Sequence, residues 1–201
     1  MTPADFARAT GVSRETLERL EGYAALLAKW QKTINLVARE SLSDLWRRHM
    51  LDSASLWPFI PRGSQTLVDL GSGAGFPGLV LAIMGVPEVH LIESDSRKCA
   101  FLAEAARLFA PAPVSIHRAR IESVTAIAAD VVSARALADV GTLLGYAVRF
   151  LKPEGVCLFL KGAKAEDELT LAGQTWNMAV ERFANPAESL GTILRIKDLC
   201  R

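Results

Sequence analysis

Apolar positions follow two rhythms along this chain, and the change between them divides it. Near the amino end, Leu17, Leu20, Tyr23, Ala24, Leu27 and Trp30 recur at three and four residue intervals. This spacing predicts one buried face of a helix that Ser13 can cap. A second helix is predicted over residues 43–56, with Leu45, Trp46, His49, Met50 and Leu56 near one side and Pro58 stopping it. From Thr66 onward, short apolar runs alternate with helical stretches. Strands are predicted near 66–70, 89–93, 113–117, 130–134 and 155–160, the alternation of a doubly wound α/β sheet. The tail differs. Residues 180–183 and 192–196 read as two strands joined by a loop holding Asn185, Pro186 and Gly191, a pair that can add antiparallel strands at the sheet edge.

The richest chemistry lies in residues 66–78, where an apolar strand carries an acid, Asp69, and then breaks into Gly71, Gly73 and Gly75. Without a Cβ, such positions accept positive φ and let the backbone approach a ligand closely. Pro77 suits the first turn of the helix that follows. The result is a nucleotide-sized pocket at the carboxyl edge of a sheet. Residues 73–78 also match Gly-x-Gly-x-x-Gly, the dinucleotide fingerprint, but there Asp69 would face a pyrophosphate dianion. A carboxylate in this place pairs better with a cationic ammonium. That points to S-adenosylmethionine, which has an ammonium, a sulfonium and no phosphate. Glu93 ends the next strand, where it can accept hydrogen bonds from both ribose hydroxyls of either kind of nucleotide. The plainer reading makes Asp69 a turn cap and Glu93 a helix N-terminal acid.

With 201 residues, half of them hydrophobic, the chain can build one α/β core and a small appendage. The expected division is a helical extension over residues 1–60 and a cofactor-binding domain over 61–201, together forming one compact unit. A formal net charge of +1 gives no global field for nucleic acid, so any such role rests on local patches. Cys99, Cys157 and Cys200 have no metal spacing, and no metal site is expected; Cys157 lies inside an apolar strand and reads as a core thiol. No stretch has the apolar length of a membrane span and the first residues lack an apolar signal core. A cytoplasmic monomer with reduced thiols is expected. Seven strands, a terminal hairpin and the acid-plus-glycine turn describe the class I methyltransferase architecture, Rossmann-like and mostly parallel.

Trp30, Asn35-Leu36, Arg48-His49-Met50-Leu51-Asp52-Ser53, residues 69–78, Leu91-Ile92-Glu93-Ser94 and Phe101-Leu102 together resemble the bacterial small-subunit (16S) ribosomal RNA guanine-N7 methyltransferases, the GidB/RsmG family. Arg120-Ile121-Glu122, Ser133-Ala134-Arg135-Ala136 and Lys161-Gly162 extend the match. The resemblance implies S-adenosylmethionine as methyl donor and a guanine of 16S ribosomal RNA, free or in the small subunit, as acceptor. It also implies cofactor contacts at Gly71, Phe76, Ile121, Glu122 and Arg135. Where the family often has Asn-Leu-Thr, this chain has Asn35-Leu36-Val37 and lacks the hydroxyl.

Guanine N7 carries a free lone pair and loses no proton on methylation, so catalysis there is positioning and electrostatics. Arg135, at the end of the fourth strand, is the first candidate for that work. His49 reads as a buried, hydrogen-bonded histidine; alternatively Arg48 and His49 reach over the pocket and hold substrate. Trp30, Trp46 and Trp57 suit core packing. Arg97, Lys98, Arg120 and Lys161 fall near carboxyl ends of strands, where they would give RNA phosphates a cationic rim, or else are ordinary solvated charges. A small-molecule acceptor, an NAD(P)-dependent oxidoreductase and a ribosome-binding factor with a degenerate pocket are the competing readings.

Overall fold

The computed structural model describes residues 1–200. Seven strands form one sheet: β1 Thr66–Leu70, β2 Glu88–Glu93, β3 Val114–Arg118, β4 Ala129–Arg135, β5 Leu151–Lys161, β6 Asn177–Ala184 and β7 Thr192–Cys200. Their order is β3-β2-β1-β4-β5-β7-β6, with the first five parallel and β7 antiparallel between β5 and β6. The chain winds to one side from β1 into β2 and β3, then crosses to β4 and β5 on the other. That reversal opens a crevice at the carboxyl ends of β1 and β4, where ligands of open α/β sheets bind. All five residues of β1 are buried, as a parallel strand covered on both faces requires.

Helix α1 spans Pro3–Thr10 and α2 spans Arg14–Trp30, capped by Ser13 as the periodicity predicts. The helix expected over 43–56 is not one regular helix. After a short α3, Arg39–Leu42, come a π turn over Trp46–Leu51, α4 over Asp52–Ala54 and a 3₁₀ turn over Trp57–Phe59. Every residue from 49 to 56 is buried, so the segment is covered all round rather than along one stripe, and the simple helical period fails there. Trp57, expected in the core, is exposed. Helices α5 Gly78–Met84, α6 Ser96–Phe109, α7 Val140–Ala147 and α8 Ala165–Ala172 complete the layers. Pro77 is the N-cap of α5, one residue before the predicted opening.

Two apolar cores flank the sheet. Phe6, Leu20, Leu27, Met50 and Leu56 from the extension join Leu67, Val89, Leu91 and Phe101 in one of them, so residues 1–60 share a core with the sheet. Val68, Val132, Leu144, Cys157 and Leu169 belong to the other, under α7 and α8. The Tyr23 hydroxyl donates to the Ala74 carbonyl, fastening α2 to the glycine turn. Among the described residues no helix is long and apolar enough to cross a membrane.

Candidate active site

A cavity of about 410 Å³ lies beyond the carboxyl ends of β1, β2 and β4. Gly71, Gly73, Phe76, Glu93, Ile121, Glu122 and Arg135, all expected at a cofactor site, line it, as do Lys98 and Arg120. The three turn glycines all have positive φ but face different surroundings. A Cβ on Gly73 would meet nothing closer than a carbonyl at 3.9 Å, so this residue presents bare backbone to open space. A Cβ on Gly71 would meet Leu137 at 2.7 Å. Gly75 faces inward, where a Cβ would lie 2.9 Å from Leu79 and 3.0 Å from the Tyr23 hydroxyl oxygen. Contrary to expectation, Gly75 does not line the cavity; its missing side chain lets α2 and the turn pack together.

Asp69 departs further from expectation. Its side chain is wholly buried and lies outside the cavity lining, under the start of α5, where a Cβ on Gly78 would touch it at 2.6 Å. Oδ1 accepts a hydrogen bond from the Ser133 hydroxyl at 2.7 Å, whereas Oδ2 makes none of good geometry. Burial pushes its pKa up to about 6, against the pull of the Ser133 and Ser72 hydroxyls, the Gly78 amide and the Arg135 charge. Direct pairing of Asp69 with a ligand ammonium, expected from sequence, is therefore not available in this arrangement. Asp69 lies one residue before the end of β1 and points into a sheet face, whereas a residue at the very end of a strand can reach the crevice. Glu93 does face the cavity, and its carboxylate also braces the site. Oε2 accepts from the Gly73 amide at 2.9 Å and Oε1 from the Asp95 amide at 2.8 Å. Each oxygen retains acceptor capacity for a ligand hydroxyl.

Arg135 stands where this cavity meets a second, of about 450 Å³, that shares Arg135 and Ala136 with it. Its Nη1 donates to the Arg48 carbonyl at 3.1 Å and to Asp52 Oδ2 at 3.0 Å, and its Nη2 donates to His49 Nδ1 at 2.8 Å. Its guanidinium carbon sits 5.0 Å from the Phe76 ring centre. Since His49 Nδ1 faces a donor, its proton belongs on Nε2, which lies 2.7 Å from Ser41 Oγ; that hydroxyl in turn donates to the Ala38 carbonyl. Burial, with the charges of Arg135 and Arg48 beside it, lowers the His49 pKa to about 3, so the ring is neutral. Asp52 Oδ1 accepts from Asn185 Nδ2 at 2.5 Å, which brings the β6–β7 loop into the same network.

The basic rim is only partly as expected. Lys161 is largely covered and held in an ion pair with Glu168, 2.6 Å away, and donates to the Ala138 carbonyl, so it is not a free phosphate contact. Its place at the end of β5 puts it beneath α8, where an unpaired ammonium would be costly. Arg97 lies outside both cavities, beside Asn35, and pairs loosely with Asp95 at 3.8 Å. Arg48 contributes its carbonyl to Arg135 and is among the residues that line the second cavity. Asp52 and Asn185, central to the network, carry no signal in the sequence beyond that of a motif residue and a loop residue. Leu137 and Tyr146, the latter donating to Glu122 at 2.9 Å, line the first cavity without any local signal.

This sheet order, glycine turn and crevice define the fold of the class I S-adenosylmethionine-dependent methyltransferases. Among solved structures, the chain is similar to a TehB-like SAM-dependent methyltransferase from Corynebacterium glutamicum, with TM-score 0.55 and 17% identity over 88% of this chain and 96% of that one. It is also similar to the glycopeptide N-methyltransferase MtfA, with TM-score 0.60 and 11% identity over 74% and 93%. The chain belongs to the GidB family, rRNA small subunit methyltransferase G, which it matches over residues 16–188. Relatives named ribosomal RNA small subunit methyltransferase G include one from Rhodospirillum centenum, 58% identical over 97% of this chain and 90% of that protein. Another, from Rhodospirillum rubrum, is 53% identical over the whole of both.

Proposed function

We propose that this chain transfers a methyl group from S-adenosylmethionine to N7 of a guanine in 16S ribosomal RNA, acting on the small subunit in the cytoplasm. The observation that carries this reading is the pair of cavities joined at Arg135 and Ala136, in a chain of this family. The first cavity suits the cofactor: Gly73 offers bare backbone where any side chain would project into the space, and the Glu93 carboxylate lies alongside. Gly71, Gly73, Phe76, Glu93, Ile121, Glu122 and Arg135 would hold it. When bound, it supplies an electrophilic methyl group on a sulfonium.

The residues of the chain need only bind, orient and exclude water, because guanine N7 has no proton to lose. Arg135 is preset for this by its bonds to Asp52, His49 and the Arg48 carbonyl and by the Phe76 ring beneath it. His49 stays neutral and accepts from Arg135, so it positions that cation without adding a second charge. Basic side chains around the cavities, the half-buried Lys98 and the exposed Arg120 and Lys164 among them, are placed to meet RNA phosphates.

The test is to incubate the chain with labelled S-adenosylmethionine and small subunits from cells lacking it, then to digest the RNA and identify the labelled nucleoside by mass spectrometry. One labelled 7-methylguanosine in 16S RNA is expected. Label in another nucleoside, or only in a small molecule, would overturn the proposal.

A further inference from the structure

The second cavity contains more charged groups than its internal pairs use. Asp52 is neutralised by Arg135 at 3.0 Å and Glu168 by Lys161 at 2.6 Å. Three charged side chains remain on its walls with no ion pair among the described residues: Arg48, Lys164 and Glu188. Two unpaired cations match a nucleotide's phosphates, but a lone exposed carboxylate beside them would repel a polyanion unless it met hydrogen-bond donors.

Resting on the function proposed above, we infer that the second cavity receives the target nucleotide and that Glu188 reads the Watson–Crick edge of its base. A carboxylate is an acceptor-only group with two oxygens. Guanine alone among the four bases offers two adjacent donors on that edge, N1–H and the N2 amino group. Adenine and cytosine place an acceptor beside their amino group, and uracil flanks its single N–H with carbonyls. A base must leave its stack to enter such a cavity, and its exposed edge is then read by hydrogen bonds. The placement suits N7 chemistry. Glu188 lines the second cavity, and a cleft with Arg47 and Arg48, but not the first cavity, so it is not part of the Arg135–Ala136 boundary that the two cavities share. A guanine held there by its Watson–Crick edge carries N7 on its opposite, imidazole side, which leaves N7 free to face that boundary. Glu188 lies in the β6–β7 loop, which the Asn185–Asp52 hydrogen bond of 2.5 Å ties to the Arg135 network. The residue that selects the base is thereby braced against the one at the reacting centre.

Glu188→Ala and the wild type are compared on small subunits lacking the modification, and on subunits reconstituted with RNA carrying guanine or inosine at the nucleotide the wild type methylates. Inosine keeps N7 and N1–H but lacks the N2 amino group. The variant should lose roughly 10- to 100-fold in kcat/KM, the scale of a bidentate base contact, with S-adenosylhomocysteine affinity within about twofold of wild type. The wild type should prefer guanine to inosine by about tenfold, and the variant should show no preference. Each preference is a ratio on one protein, so a misfolded fraction cannot produce its loss. Full guanine preference in Glu188→Ala, or activity within twofold of wild type, overturns this inference while leaving the methyltransferase reading intact. A wild-type chain that puts no methyl on guanine N7 overturns both.

Discussion

Arg135 and Asp52 meet at 3.0 Å, with side chains only 18% and 10% exposed, although 83 residues separate them in the chain. One is the last residue of β4 and the other opens the short helix after the π turn, so the pair joins the helical extension to the crevice. Replacing Asp52 with alanine leaves Arg135 and Asn185 each short of a partner. Asp52→Ala should cost about 3 kcal/mol of stability and lower the methyl-transfer rate more than cofactor affinity. A denaturant double-mutant cycle with Arg135→Met should show a coupling energy well above zero; additive effects would mean the pair contributes nothing by itself.

His49 and Asp69 give opposite pH dependences. The His49 pKa falls from 6.5 to about 3 on folding, so between those values the unfolded chain binds the extra proton, and stability rises with pH. The Asp69 pKa rises from 3.8 to about 6, so in that interval the folded chain binds the proton, and stability falls with pH. Each effect is limited to about 1.4 kcal/mol per pH unit. Relative to wild type, His49→Gln should flatten or reverse the rise in stability from pH 4 to 6, whereas Asp69→Asn should steepen it. Urea titrations across that range decide it, since the remaining carboxylates cancel in the differences.

Gly73 and Gly75 should separate cofactor binding from folding. Both have positive φ, 57° and 96°, so alanine strains either by about 1 kcal/mol. Only at Gly75 does the new methyl also meet packed atoms. Gly75→Ala should therefore lower the melting temperature more, while Gly73→Ala should chiefly weaken S-adenosylhomocysteine binding measured by calorimetry. Equal thermal losses with unchanged binding would remove Gly73 from the site.

Lys161 and Lys164 should behave differently despite their proximity. Lys161→Ala strands the carboxylate of Glu168 and should destabilise the fold without altering the salt dependence of RNA affinity. Lys164→Ala removes an exposed, unpaired charge and should lower the salt slope by about one phosphate contact, leaving stability unchanged. Affinity measured from low to moderate salt distinguishes them.

Much of this architecture is local, and so it is legible in the sequence. Ser13 caps α2 because its side chain reaches the Thr16 amide. The run at 66–70 is β1 to the residue, since a strand buried on both faces must be apolar almost throughout. The turn after it needs glycine at 71, 73 and 75 because each takes positive φ. Other features depend on what distant segments bring. That Gly73 faces the cavity while Gly75 faces Tyr23 follows from where α2 lands, 51 residues upstream of the carbonyl that Tyr23 binds. Asp69 looked like a ligand contact beside its glycines, yet the strand's alternation and the packing of α5 bury it. Lys161 looked like a free cation until α8 folded back with Glu168. The sequence by itself determined the strands, the turn and the class of chemistry, because backbone conformation and apolar periodicity are properties of neighbours. Only the tertiary structure decided which charged side chains reach the cavities, because a buried charge is set by partners that can lie anywhere along the chain.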